Sequence, residues 1–324
     1  MTRFFANANY DFIGVRKYAY GVTAALLVPG LLFLMIWGLH YSIEFTGGTL
    51  VQIRSEKPLD VGQLRAALDR QGIPGAEIQS FGSELEYTIR ARVAKAGTDA
   101  DNTQATATAV AAALDAALGA GTYTVLASGG VGPKVGGELR TQAFLAIFLS
   151  FFAVLAYLAW RFEWRFGLAA VGATLHDIIA TIVFIGIMRI EVSLVVVGAV
   201  LSMVGYSLND TIIIFDRVRE NLHKYRREDF ASILNRSVNE TLPRSVLTHA
   251  TTLATLLALA ILGGEVIRPF ALVMFFGVFT GTFSSIYIAA PLLMAIEHRW
   301  PGADARGVKS NAPQAGLSKV QPTA

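Results

Sequence analysis

Six stretches of roughly 20 mostly apolar residues dominate this chain, each about the length a helix needs to cross a bilayer. They are Tyr20–Leu39, Thr141–Trp160, Gly167–Met188, Val192–Phe215, Val246–Leu262 and Pro269–Ile296. Hydrocarbon offers backbone amides no water, so apolar runs of this length fold as helices, and the fold class is a polytopic α-helical membrane protein. Composition agrees: of 324 residues only 16% are charged, where a soluble domain carries about a quarter. The absence of cysteine excludes a disulfide framework, a cysteine nucleophile and a thiolate metal site. The five histidines are scattered and form no metal-ligand pattern. Arg16 and Lys17 precede the first run as in a signal peptide. That run is too long, and His40-Tyr41-Ser42 is no small-residue cleavage site, so it reads as an uncleaved anchor.

Positive charge sorts the loops. Arg3, Arg16 and Lys17 lie before the first helix, Arg161 and Arg165 after the second, six basic residues from Arg217 to Arg236 after the fourth, and Arg299, Arg306, Lys309 and Lys319 in the tail. The opposite side has only Arg189 and Arg268 in its short loops. By the positive-inside rule both termini are cytoplasmic, in a multi-pass membrane protein. The expected organisation is a cytoplasmic segment 1–19, transmembrane helix 1 at 20–39, a periplasmic α+β domain at 40–139, helices 2–6 at 140–298 and a disordered tail at 299–324.

Within the insert, Thr49–Arg54, Glu77–Phe81, Glu86–Val93 and Tyr123–Ala127 read as strands. Asp60 N-caps a helix that puts Leu64, Ala67 and Leu68 on one face, and Thr103–Leu118 is a second, Ala-rich helix. The β-α-β-β-α-β order is ferredoxin-like. Gly47-Gly48 at the entrance and Gly129-Gly130, Gly132 and Gly136-Gly137 at the exit read as hinges. The charge-dense segment Asp216–Arg244 reads as a solvated amphipathic loop.

Ionisable groups inside spanning helices are expensive and mark function. Asp177 sits mid-way along helix three on a face shared with Thr174 and Thr181, and Asp210 stands in helix four beside Asn209. Ser202, Tyr206, Asn209 and Asp210 form one stripe; Arg244, Thr248, Thr251 and Thr255 form another on helix five. Turned inward together, the stripes make a hydrated path with Asp210 and Arg244 as opposite charges. The alternative is a set of interhelical hydrogen bonds that only hold the bundle. For Gly277 and Gly281 on helix six, close packing is the reading preferred. Catalytic motifs are lacking: Gly205-Tyr206-Ser207-Leu208 is not a rhomboid-type serine motif, Ser207-Leu208-Asn209-Asp210 is not the Gly-x-Gly-Asp of membrane aspartyl proteases, and no phosphate-binding loop exists. The expectation is therefore a non-enzyme without metal.

Several strings carry a family resemblance. Tyr10-Asp11-Phe12-Ile13-Gly14-Val15-Arg16-Lys17 precedes helix one, and Ile43-Glu44-Phe45-Thr46-Gly47-Gly48-Thr49 follows it. Gly205-Tyr206-Ser207-Leu208-Asn209-Asp210-Thr211 runs on to Phe215-Asp216-Arg217-Val218-Arg219-Glu220-Asn221, and Glu240-Thr241-Leu242-Pro243-Arg244 leads to Thr251-Thr252-Leu253. From about Asp11 to Trp300 the chain resembles the SecF branch of the SecD/SecF family, within the resistance-nodulation-division superfamily. Glu44 stands where the family usually has Asp.

The resemblance implies a six-helix half of an RND-type transporter, paired with SecD, that uses the proton-motive force in late steps of protein export. It implies Asp210 as proton-relay carboxylate with Arg244 and Asn209 beside it, and protons as coupling ion without other cofactor. Implied partners are SecD, the SecYEG translocon, SecA, YajC, the translocating preprotein and membrane lipid; no nucleic acid is expected. Asp177 joins the relay as a candidate, with Tyr206, Thr248 and Thr251 lining its path and Glu44, Gly47 and Gly48 as the hinge motif. Competing readings are a proton-coupled transporter half that moves a lipid or small molecule, a scaffold that only stabilises the translocase, and an intramembrane protease.

Overall fold

In the computed structural model the described residues are 8–71, 73, 76–81, 83–91, 99–119, 121–161 and 163–301. Residues 302–324 of the expected tail and 1–7 of the N-terminal segment lie outside them. The chain begins with α1 (Arg16–Trp37) and a single turn, α2 (Ile43–Thr46). The insert follows: β1 (Gly48–Ser55), α3 (Val61–Arg70), β2 (Glu77–Phe81), β3 (Ser83–Ala91), α4 (Asp99–Leu118) and β4 (Tyr123–Val131). Then come α5 (Pro133–Arg161), α6 (Trp164–Ile187), α7 (Leu194–Lys224), α8 (Phe230–Leu262) and α9 (Gly264–Ser284). A π-helical turn, Ser285–Ala289, leads into α10 (Ala290–Arg299). Six spans are long and apolar enough to cross a membrane, the sixth comprising α9, the π turn and α10.

Two spans outgrow the bilayer. At 31 residues α7 is about 46 Å long, against a hydrocarbon core of about 30 Å. The segment expected as a charged loop is instead helical on both sides of a short turn, 225–229. Its alternating charges are spent between the two helices: Arg217 Nε donates to Glu240 at 2.6 Å, and Asn221 Nδ2 donates to Ser237 Oγ at 3.0 Å and Glu240 at 2.8 Å. The N-terminal segment straps onto this projecting pair. Tyr10 N–H donates to Asn239 Oδ1 and Asn239 Nδ2 to Tyr10 O, both at 2.9 Å, while Phe12 and Ile13 are buried.

Inside the bundle α6, α7 and α9 approach closely. A Cβ on Gly277 would lie 2.2 Å from Met203 Cγ, and one on Gly281 would lie 2.9 Å from Ser207 Cβ. The two glycines are thus the close-packing face expected of them, and they let α9 lie against α7. The bundle core runs from Ala169 and Ala173 of α6 through Ala199 and Met203 of α7 to Val273 and Val278 of α9. Phe144, Phe148 and Phe152 of α5, like Met35 and Trp37 of α1, point out of the bundle.

The insert has the expected ferredoxin-like topology, a four-stranded antiparallel sheet ordered β2-β3-β1-β4. Asp60 accepts from Gly62 N at 2.8 Å and Gln63 N at 3.4 Å, capping α3. Leu64 and Leu68 pack with Ile53, Ile89 and Leu114 to close its core. The glycine-rich stretches are not loose joints. Gly129 and Gly130 pair with Leu50 and Thr49 inside β4, and Gly136 and Gly137 lie in the first turns of α5. Their small size serves contact instead: a Cβ on Gly136 would lie 2.9 Å from Gly47 N. Gly47 needs glycine for its φ of 75°, and a Cβ on Gly48 would lie 2.9 Å from Ala91 O.

Gly281→Val should force α9 off α7, an overpacking cost of about 1–3 kcal/mol. The thermal midpoint of the solubilised protein should fall, while Gly198→Ala, where nothing lies within 4 Å, leaves it unlowered.

Candidate functional site

Asp177 sits where three spans meet. Its carboxylate is fully buried, and Oδ2 accepts from Ser207 Oγ of α7 at 2.5 Å and Ser284 Oγ of α9 at 2.7 Å. His176 Nδ1 lies 3.0 Å from Oδ1. Thr174 and Thr181 share this face and are buried with it. One layer along, Thr211 Oγ1 is 2.9 Å from Ser285 Oγ, at the start of the π turn; such turns often mark functional positions.

Three residues past Ser207, Asp210 faces α8 rather than α6 and α9. It is 4% exposed, and Oδ1 accepts from Ser245 Oγ at 2.6 Å. The other oxygen, Oδ2, is buried without a hydrogen-bond partner. The expected ion pair is absent: among the described residues no carboxylate of Asp210 lies within 4.0 Å of Arg244. Helical geometry explains this. Ser245 occupies the face of α8 turned to α7, and a step of about 100° points Arg244 outward, where it is exposed. One turn from Asp210, Tyr206 Oη donates to Thr252 Oγ1 at 3.0 Å, and its ring lies 5.6 Å from that of His249. His249 is 6% exposed, with Nδ1 buried and unpartnered.

The remaining path residues do not turn inward. Asn209, Thr248 and Thr251 are exposed, as are Ser202 and Thr255. Thr251 and Thr255 return their hydroxyls to carbonyls of their own helix, Leu247 O at 3.1 Å and Thr251 O at 2.9 Å. Together with Arg244 they make an outward polar face on α7 and α8. In this chain alone the stripes therefore do not close around one channel.

A second constellation joins the insert to the bundle. Glu44 Oε2 accepts from Leu194 N at 2.6 Å, holding the first N–H of α7 across 150 positions of sequence. Next to it Ser42 N donates to Val192 O at 2.9 Å and Val192 N to His40 O at 2.7 Å. Arg90 of β3 reaches Glu191 at 2.5 Å, and His40 lies 3.5 Å from Glu77. These side chains line a cavity of about 220 Å³. Burial pushes the Glu191 carboxyl above its ordinary range, against the opposing charges of Arg90 and His40. An acid raised in this way weighs against the joint when ionised, and that penalty lifts as pH falls through the raised pKa.

Two family models match this sequence: protein export membrane protein SecD/SecF, C-terminal, over residues 109–299, and the SecD/SecF GG motif over residues 36–59. The protein translocase subunit SecF of Gemmatimonas aurantiaca is 55% identical, covering 94% of this chain and 92% of its own length. The chain belongs to the SecD/SecF family. The SecF subunit of Magnetococcus marinus is 42% identical over 92% of this chain and 95% of its own. The crystal structure of SecDF, a translocon-associated membrane protein from Thermus thermophilus, superimposes with a TM-score of 0.78 at 36% identity. It covers 90% of this chain, which spans 39% of the SecDF chain. SecDF in its super-membrane-facing form matches with the same identity and coverage but a TM-score of 0.65.

As a SecF-type chain it is a multi-pass membrane subunit of the Sec protein-export machinery. The GG-motif match, 36–59, embraces the joint in which Glu44 caps α7, and the C-terminal match embraces both buried aspartates. Of the residues singled out in the sequence, the structure gathers Asp210 and Tyr206 against α8, gathers Glu44, Gly47 and Gly48 at the joint, and sets Asp177 in a separate interior network. Sequence reasoning passed over Ser245, His249, Ser207 and Ser284. His249 carried a usable signal, an ionisable group inside an apolar run four residues after Ser245; the serines carried none, since hydroxyls are common in membrane helices.

Ser245→Ala should leave buried Asp210 without its one donor, lowering stability by about 1–3 kcal/mol. A double-mutant cycle with Asp210→Asn, read by thermal unfolding, should return a nonzero coupling. At the joint, the Glu191 carboxyl should titrate above the ordinary 4.5, and higher still in Arg90→Gln, by infrared or carbon NMR titration of labelled protein.

Proposed function

We propose that this chain couples proton movement through the membrane to the late stages of protein export, as the SecF-type half of a proton-driven complex with SecD. The observation that carries the reading is Asp210: a carboxylate buried among spanning helices, held by one serine and retaining one unpartnered oxygen. A carboxylate so placed is costly as a mere strut, since an asparagine bridges helices without the ionisation penalty. Protonation of Oδ2 removes its charge and weakens the charge-assisted bond from Ser245, which loosens α7 against α8.

The far end of α7 is clamped to the insert through Glu44, Val192 and Glu191. A small shift or rotation of α7 therefore reaches the insert directly, and not only through α1 and α5 as the covalent connections suggest. Arg244 contributes through the outward polar face rather than through an ion pair within the chain. That face, with Asn209, Thr248 and Thr251, is where the SecD half packs, so the hydrated path forms between the two halves.

In this reading the termini are cytoplasmic, the insert is periplasmic and contacts the emerging preprotein, and the protein lies in the bacterial inner membrane. The complex acts beside the SecYEG translocon after insertion driven by SecA, with YajC as an accessory. The chain performs no covalent chemistry; protons are its coupling ion and it holds no other cofactor.

The test is gradient-driven export in inner-membrane vesicles that carry Asp210→Asn, with assembly checked by co-purification of SecD. Assembly should be normal and the gradient-driven component of export should be lost. Export equal to wild type would return Asp210 to a packing role and leave a scaffold.

A further inference from the structure

The mechanism above uses Asp210 but leaves a second orphan unexplained. Among the buried side-chain atoms that lack a partner are Asp210 Oδ2 on α7 and His249 Nδ1 on α8. Both side chains are more than nine-tenths buried. Buried polar atoms are nearly always paired, and each exception asks for a reason.

The two lie at opposite corners of one interhelical square, with no His249 nitrogen within 4.0 Å of an Asp210 oxygen. On α8, Ser245 and His249 are four apart and share one face; on α7, Tyr206 and Asp210 are likewise four apart. Ser245 bonds Asp210 at 2.6 Å, and the His249 ring lies 5.6 Å from the Tyr206 ring. His249 thus occupies the fourth corner of this square, diagonally across from Asp210 and near enough for a charge on either side chain to be felt by the other. The titratable groups facing it are Asp210 and Tyr206 from α7, while Arg244, exposed on the outward side of α8, reaches Asp210 only by longer-range charge. Asp177 and His176 belong to the other network, on the α6 and α9 side of α7.

The square also has a direction. α7 runs away from the insert and α8 runs towards it, so His249 and Tyr206 lie one turn nearer the insert than Asp210 and Ser245. Tyr206 continues the polar line to Thr252 at 3.0 Å. A proton arriving from the insert side meets the imidazole before the carboxylate.

We propose that His249 is the proton-passing residue next to Asp210, handing protons between the insert side of the bundle and Asp210 Oδ2. This rests on the proton-coupled reading above. The step balances within the pair. Neutral His249 carries its proton on Nδ1 and accepts the incoming one on Nε2. A turn of the His249 side chain brings its Nδ1–H within hydrogen-bond reach of Asp210, and that proton passes to the ionised carboxylate. The imidazole is left neutral with its proton on Nε2, the carboxyl is neutral, and a return of the ring to the Nδ1 form resets the cycle. Imidazole suits this because it both accepts and donates near neutral pH.

The experiment uses the full chain with SecD in inner-membrane vesicles and compares wild type, Asp210→Asn, His249→Gln and His249→Phe. Gradient-driven export is measured across pH, and the carboxylic band of Asp210 is followed by infrared difference spectroscopy. Loss in Asp210→Asn, a fall of about tenfold or more in both His249 variants, a pH profile reduced from two ionisations to one and a displaced Asp210 band support the assignment. His249→Phe keeps an aromatic ring beside Tyr206 and His249→Gln keeps polarity, so a defect from lost packing alone would spare one of them; sparing of either overturns the proposal. If Asp210→Asn abolishes gradient-driven export while both His249 variants match wild type, His249 is not in the relay and the coupling reading stands. If all three variants match wild type, the coupling reading fails and this proposal falls with it. Should His249→Phe not assemble with SecD, the pH profile and infrared band of His249→Gln decide alone, an unchanged pair of readings overturning the proposal.

Discussion

The close approach of α9 to α7 is the contact from which the polar chemistry of the bundle follows. It exists because Gly277 and Gly281 present no side chain to Met203 and Ser207. Dispersion and close packing, not hydrophobic exclusion, hold helices together in lipid, so small residues set which faces meet. With Ser207 committed to α9 and to Asp177, the rotation of α7 about its axis is set. Asp210, three residues on, then has to face α8. One steric decision thus sorts two buried acids into two environments, Asp177 among hydroxyls from three helices and Asp210 against a single serine.

The same rotation carries to the ends of α7. At one end Glu44 holds its first N–H, and the turn before it is laced to the insert by the backbone of Ser42 and Val192 and by the Arg90 side chain. A carboxylate at a helix N-terminus meets unsatisfied amides and the positive end of the helix dipole. Glutamate, rather than the aspartate usual in the family, makes that reach here. At the other end Arg217 and Asn221 lock α7 to the start of α8. The proposed coupling runs along this helix, which is gripped at both ends and carries a buried carboxyl between them.

Much of this was legible beforehand. Length and polarity of the apolar runs are local properties, so the six spans could be read directly, as could the α/β insert from its strand and helix periods and from Asp60 as a cap. The reading of Asp216–Arg244 as a loop went astray because charge density suggests solvent, whereas these charges pair across two helices that project beyond the bilayer. The glycine hinges went astray for a related reason. Glycine signals either backbone freedom or close approach, and Gly129, Gly130 and Gly136 are sites of close approach or regular pairing whose partners lie 79 or more positions away.

What the sequence determined alone was which residues are too costly to be idle in a membrane: Asp177 and Asp210, by the price of ionisation in hydrocarbon. What only the tertiary structure decided was which neighbours they meet. Arg244 and Ser245 are adjacent in sequence yet turn about 100° apart, so the serine reaches Asp210 and the arginine faces outward. Periodicity states that residues share a face, but only the packing of α7 against α8 and α9 states what that face is turned towards. Ser245, His249 and the clamp by Glu44 therefore emerge with the fold, because each depends on the relative rotation of helices that are distant along the chain.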